Sequence, residues 1–303
     1  MSYELSPHGK RIRVAFRFLA AALTVAFTAC TSLSFFVANA PVAFGEFNRS
    51  TDLPYGRDAR QRLDVVSPKT GQHPVVLFFY GGSWTTGQKS QYGFVAAALA
   101  AHGYVTVIPD YRLYPQVRFP ELMDDGAQAV AWVWQHAREF NGDPERIVLM
   151  GHSAGAHMAA MLALNRTYLD KVDVPARSIV GLIRLSGPYA LIPDSDSLRA
   201  IFARPYTPDD WQPLHFASAR APPTLLLQGL DDKVVSPIQS QKLRDALDSH
   251  GVAVETHFYA GRGHVDTLAS FSVVARFRTP ALQNTLTFLA RVTMPNGNAG
   301  VKP

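Results

Sequence analysis

The chain has 303 residues, 47% of them hydrophobic and 17% charged, a length and balance that suit one sizeable globular core and exclude a disordered protein. Its formal charge of +5 is concentrated in the first 40 residues, which hold Lys10, Arg11, Arg13 and Arg17 against Glu4. That leaves 25 basic and 23 acidic residues elsewhere and no basic footprint for nucleic acid. A single cysteine, Cys30, excludes an internal disulfide and a cysteine metal cluster.

In chain order, the first feature is the uncharged run from Phe18 to Ala38, which follows the basic cluster and is long enough to span a bilayer as a helix. It fits an uncleaved signal anchor. It also fits a lipoprotein signal, since Phe27-Thr28-Ala29-Cys30 is similar to a lipobox apart from its Phe27. A cleaved secretory peptide ending at Ala38-Asn39-Ala40 is disfavoured by Pro41, and a buried amphipathic helix by the lack of a polar face. All three export readings put the folded domain outside the cytoplasm, periplasmic or at the cell surface, with the membrane as partner of the N-terminal segment. The expected organisation is a signal or anchor and linker over 1–44, one domain over 45–294 and a flexible tail over 295–303.

Residues 45–61 read as a linker followed by a loop, and Arg62 to Val66 as a short edge strand. Val75 to Tyr80 is a continuous apolar run that predicts a buried central strand, and Gly81-Gly82-Ser83-Trp84 follows it at once. A helix is expected over Gln91 to His102, a strand over Val105 to Ile108, and a helix over Pro120 to Phe140 that Asn141-Gly142-Asp143-Pro144 terminates. Next comes the apolar run Ile147 to Met150, then Gly151-His152-Ser153-Ala154-Gly155 and a helical stretch of small residues to Leu164. That succession reads as a strand, a sharp turn carrying a nucleophile, and a helix. Ile179 to Leu185, Thr224 to Gln228 and Val254 to Tyr259 supply further strands, with helices over 236–250 and Gln283 to Arg291. Strands alternating with helices predict an α/β fold with a doubly wound, mostly parallel sheet.

A serine hydroxyl is a poor nucleophile near neutral pH and needs a base, an orienter for that base and donors for an oxyanion. In a doubly wound sheet these groups meet at loops leaving the carboxyl ends of strands. Gly229-Leu230-Asp231-Asp232 follows one such strand and Gly261-Arg262-Gly263-His264 another, so the order along the chain is Ser153, Asp232, His264. His152 and His157, beside the nucleophile, are expected to pack rather than act. No set of His and acidic residues shows metal spacing, so neither metal nor cofactor is expected.

Taken together, Tyr80-Gly81-Gly82-Ser83-Trp84, Asp110-Tyr111-Arg112-Leu113-Tyr114-Pro115, Asp143-Pro144-Glu145-Arg146-Ile147, the serine elbow and the Asp232 and His264 loops resemble the α/β-hydrolase serine esterases with an H-G-G-x-W oxyanion motif. That group includes hormone-sensitive-lipase-like and feruloyl/acetylxylan-esterase-like carboxylesterases and kynurenine formamidases. The resemblance covers about residues 53–290. It implies Ser153 as nucleophile, His264 as base and Asp232 as orienter, with Asp231 the alternative, and main-chain N–H groups of Gly82, Ser83 and Ala154 as oxyanion donors. Tyr80 departs from the family's histidine, which braces the oxyanion loop. Segment 188–222 is a short cap whose aromatics line the pocket or fill a small core, and Trp84, Tyr189 and Trp211 are the candidate substrate contacts. The activity implied is hydrolysis of small or medium acyl esters, with turnover rising as His264 loses its proton. An amidase or formamidase is the alternative, and a non-catalytic binding protein would be expected to lack one of the three residues present here.

Overall fold

In this computed structural model the described residues are 34–39 and 45–294. The basic cluster, Cys30 and most of the uncharged run lie outside them; residues 34–39, its end, are helical. Among the described residues no helix is long and apolar enough to cross a membrane.

Eight strands form one sheet: β1 (Asn48–Pro54), β2 (Arg62–Ser67), β3 (His73–Phe79), β4 (Val105–Pro109), β5 (Gly142–His152), β6 (Ile179–Leu185), β7 (Thr224–Gly229) and β8 (Val254–Tyr259). Their spatial order is β1-β2-β4-β3-β5-β6-β7-β8. The first two strands run antiparallel to their neighbours, and every pairing from β4 to β8 is parallel. Five longer helices connect them: α1 (Gly93–Ala100), α2 (Glu121–His136), α3 (Ala154–Leu164), α4 (Ile238–Ser249) and α5 (Ala281–Val292). This is the expected doubly wound α/β architecture.

The central strands are apolar on both faces because both faces are covered. On β6, Gly181 stands opposite Val148 and faces Phe288 and Val292 of α5. Gly151, three residues beyond Val148 on β5, faces Gly155 and Ala156 at the start of α3. An odd step along a strand changes sides, so α5 and α3 lie on opposite faces. Every residue of α3 is buried, and its alanines leave room for α2 to approach; a methyl at Gly126 would meet Leu162 at 2.9 Å.

One expected loop is a strand. Residues 48–54 form β1, which pairs with β2, so β2 is not the edge. The β1 sequence is polar and exposed on both faces. It is held from outside the ladder: the Lys89 ammonium bridges Asp52 and Asp64 at 2.5 and 2.7 Å.

Candidate active site

Strand β5 ends at His152 and α3 begins at Ala154, so the whole turn is Ser153. The serine has φ 54° and ψ −123°, a conformation that L-residues adopt only when the surroundings impose it. The turn is fixed from two sides. The Ser153 N–H donates to the Leu185 carbonyl at 2.9 Å, and a Cβ at Gly155 would lie 2.0 Å from the Phe79 carbonyl oxygen, so only glycine lets α3 approach the end of β3 this closely. The hydroxyl therefore stands at the carboxyl edge of the sheet, over a helix N-terminus that favours negative charge.

The segment after β3 comes against this turn: a Cβ on Gly81 would lie 2.9 Å from that of Ser153. Ser83 and Trp84 both have positive φ, at 51° and 58°, and the Gly82 carbonyl accepts the N–H groups of Thr85 and Thr86 at 3.0 Å, which closes the loop on itself. Ala154 is the first residue of α3, where helix N–H groups have no internal acceptor. Ser83, Trp84, Ser153 and Ala154 line one cleft of about 400 Å³, while Gly82 does not line it.

Tyr80, at the position of the family's histidine, is fully buried between the rings of Tyr92 and Tyr111 at 5.2 and 4.9 Å. Its hydroxyl donates to Asp110 Oδ1 at 2.6 Å and accepts from Arg60 Nη2 at 2.9 Å. Burial, with the neighbouring Tyr111 and Asp110, holds this phenol protonated far above its ordinary range. Arg60 also donates to the Gly87 carbonyl, so the phenol ties the start of the loop after β3 to its end. Tyr80→Phe leaves a half-buried carboxylate and a guanidinium each short of one partner and should cost about 1–3 kcal/mol of unfolding free energy, measured by urea denaturation.

His264 and Asp232 come from adjacent loops. His264 Nδ1 lies 2.8 Å from Asp232 Oδ2. The other carboxylate oxygen accepts the Val234 and Val235 N–H groups at 2.9 and 2.8 Å, and Oδ2 also accepts Gln228 Nε2 at 2.9 Å. Burial raises the Asp232 pKa, but the hydrogen bonds from His264, Val235 and Val234 outweigh it and hold the group below its ordinary value. As an anion it accepts Nδ1–H and leaves Nε2 of His264 free to take a proton. Asp231, the alternative acid, is exposed, and its N–H donates to the Arg262 carbonyl. Gln228 escapes a sequence reading because it looks like one more strand residue; its only signal is a polar side chain at the buried end of β7.

His152 packs, as expected, and it packs against His264. Its Nε2 donates to the His264 carbonyl at 3.1 Å, and the two rings lie 4.8 Å apart. His157 donates Nε2–H to the Trp211 carbonyl at 2.6 Å under the cap. Burial pushes His152 down to about 3, helped by the charge of His264, and burial pushes His157 down to about 4. Both are neutral when folded and gain protons on unfolding, so their contribution is complete above about pH 6.5, is lost as pH falls below it, and levels off only near the folded values. Lowering pH from 7.5 to 5 should cost about 2 kcal/mol for each imidazole, about 4 in all. Urea denaturation at the two pH values checks this; a loss under about 1 kcal/mol would mean that the imidazoles protonate within the fold.

Two expected substrate contacts are corrected. Tyr189 is fully buried. Its ring covers the Arg184 guanidinium at 4.7 Å, a side chain that burial pushes down to about 10, and its hydroxyl accepts the Gly187 N–H. Trp211 is buried among Phe202 and Phe119. The cap aromatics satisfy a small core, and Trp84 joins it edge-on to Phe202 and His157 while still lining the cleft. The cap presents Leu191, Ile192, Asp194, Ser195, Ser197 and Leu198 to the cleft instead, facing Val234 and Gln239. Among the described residues no group of three or more His, Cys, Asp or Glu is placed to hold a metal ion.

The fold is that of the α/β-hydrolases, the fold of solved esterase structures. Within that class, residues 63–180 match the BD-FAE family. The chain is 30% identical over 238 residues to the isoprenylcysteine alpha-carbonyl methylesterase ICME of Arabidopsis thaliana, covering 71% of this chain and 56% of that protein. It is also 30% identical over 215 residues to the esterase LipC of Mycobacterium tuberculosis, covering 64% and 53%. The chain thus spans about half the length of the curated relatives it matches. Among solved structures, a truncated carbohydrate esterase from gut microbiota superposes with a TM-score of 0.70 at 19% identity, over 81% of this chain and 96% of the other.

Proposed function

We propose that the protein is a serine carboxylic ester hydrolase for small or medium acyl groups. The observation that carries this is the strained single-residue turn that presents Ser153 to the cleft, with His264 held by Asp232 and by His152, the residue preceding that turn. Ser153 Oγ attacks the ester carbonyl carbon as its proton passes to His264 Nε2, and the carbonyl oxygen becomes an oxyanion held by the Ser83 and Ala154 N–H groups, each worth roughly 10²- to 10³-fold in turnover. Collapse of this intermediate expels the alcohol, which takes the proton from His264. Water then repeats the sequence on the acyl-enzyme. The cleft walls of Leu191, Ile192, Leu198 and Val234 offer apolar cover on the scale of a short acyl chain. The uncharged run over 18–38 supports export and membrane anchoring with the catalytic domain outside the cytoplasm.

The test is hydrolysis of a p-nitrophenyl ester series from acetate to octanoate by the full chain, beside an N-formyl aryl amide, with fluorophosphonate labelling read by peptide mass. Turnover favouring short esters, with the label on the Ser153 peptide, is expected. Faster turnover of the amide would assign an amidase instead. No label on a folded protein would remove the nucleophile from the proposal.

A further inference from the structure

Beyond the active site, the short 3-10 helix Val273–Arg278 buries none of its residues, although half of them are large and apolar. Phe277 is 80% exposed and Val273 60%, with Val274 beside them. A contiguous apolar patch in water is unfavourable unless something covers it, and in monomeric proteins such patches mark interaction surfaces.

The patch adjoins the end of the uncharged run. The Ser272 hydroxyl donates to the Ala38 carbonyl at 3.3 Å, and Ala38, Phe47, Val273 and Arg276 line one shallow hollow of about 170 Å³. Asn39 fastens this point to the domain: its side chain donates to the Gln91 carbonyl and accepts the Phe94 N–H, each at 2.8 Å. The Phe35 ring meets Tyr92 edge-on at 5.3 Å. Immediately before this fastening, Phe36 is 72% exposed and Val37 is also exposed, extending the apolar surface. Whatever residues 18–33 enter is therefore brought within a few residues of Val273 and Phe277.

The charge at this surface is mainly basic, and its exposed carboxylate, Glu46, lies 3.6 Å from the Lys69 ammonium. Arg276 is exposed, and Arg262 lines a second hollow with Phe277. The carboxylate of Asp266 is already engaged by Arg278. Exposed aromatic and aliphatic side chains interleaved with arginine match the interface of a bilayer, where rings sit at headgroup depth and guanidinium groups meet anionic lipid.

We propose that this surface of the catalytic domain docks on an anionic lipid bilayer, with Phe277, Val273 and Phe36 entering the interface and Arg276 meeting headgroup phosphates. The proposal rests on the anchoring of residues 18–38 and adds a fixed orientation: the domain lies against the membrane rather than swinging free from its tether.

Because an anchor alone would hold the chain on vesicles, the test reads docking and not binding. Full-length protein carrying Phe277→Trp is reconstituted into vesicles of phosphatidylcholine with roughly one-third phosphatidylglycerol, with or without lipids brominated on the acyl chains, and compared with the unsubstituted protein. The expected result is about twofold stronger quenching of the added tryptophan than of the native four, lost on adding Arg276→Glu or on omitting phosphatidylglycerol. Circular dichroism melts establish that the variants fold. If the chain floats with vesicles but the added tryptophan is unquenched and open to acrylamide, the anchor stands and docking is overturned. If it is unquenched and shielded from acrylamide, another protein surface covers the patch, which also overturns docking. If the chain does not float, anchor and docking fail together.

Discussion

Ser153→Ala is expected to lower kcat for p-nitrophenyl butyrate by about 10⁶-fold while leaving the urea midpoint nearly unchanged. The size of the loss follows from how the site is built. His264 and Asp232 can deliver only the removal of a proton, and without Oγ there is no proton to remove and no oxygen to carry the acyl group. What remains is the oxyanion loop and the cleft, which still bind the ester and polarise its carbonyl toward water, so residual turnover should exceed the uncatalysed rate by roughly 10³- to 10⁴-fold. Stability is spared because the turn is set by its main chain. The Ser153 N–H to Leu185 and the close approach of Gly155 to Phe79 do not involve the hydroxyl. A second consequence separates a nucleophile from a bystander: the alanine variant should keep its KM within a few-fold and lose the fluorophosphonate label. A loss of activity under about 100-fold would place the nucleophile elsewhere, since removal of a covalent catalyst cannot be that mild.

The turn that carries Ser153 is legible in sequence because everything that builds it is contiguous: an apolar strand, a single-residue turn framed by Gly151 and Gly155, and a helix whose alanines let it bury completely. That Asp232 and His264 meet is legible for a related reason. Each sits in the loop after a strand, Asp232 after the buried apolar β7 and His264 after the half-polar β8, and a parallel sheet sends all such loops to one edge. What is lost is whatever depends on partners distant in the chain. Strand β1 carries a polar sequence with no alternation, and it is a strand because β2 offers an open edge and Lys89 offers a cation to Asp52 and Asp64. Tyr189 and Trp211 have the composition of a pocket wall, yet Arg184 lies under the first and His157 bonds to the carbonyl of the second, and those partners turn both residues inward. Tyr80 shows the converse. By type it departs from the histidine of the H-G-G-x-W motif, whereas by contact it ties Arg60 and Asp110 to the loop after β3, which no local spacing announces.

Asp232→Asn should lower kcat/KM at neutral pH by about 10⁴-fold, and the reason lies in which hydrogens face which lone pairs. In the folded protein one carboxylate oxygen accepts two main-chain N–H groups, from Val234 and Val235, and the other accepts His264 Nδ1 and Gln228 Nε2. All four partners are donors, which an anion satisfies and an amide cannot. The asparagine oxygen has to stay with the two main-chain donors, so its NH₂ takes the place of Oδ2 and points at His264 and Gln228. The imidazole can answer only by moving its proton to Nε2 and accepting at Nδ1, which leaves the nitrogen nearer the substrate without a lone pair for the Ser153 proton. Gln228 has its own constraint: its Oε1 accepts from the Ser240 hydroxyl at 3.1 Å, and turning its amide to meet the new donor forfeits that bond. The variant should therefore lose about 1–3 kcal/mol of stability as well as activity, measured by urea denaturation beside the kinetics. Asp231→Asn, one residue away and exposed, is the matched control and should retain activity within about twofold, since exchanging an exposed carboxylate for an amide leaves its main-chain bond to Arg262 in place. If the two variants exchanged places, Asp231 would be the orienting acid and the loop would have to rearrange when substrate binds. If neither lost more than about tenfold, His264 would be working without a fixed tautomer, and the four-donor arrangement around Asp232 would be structural only.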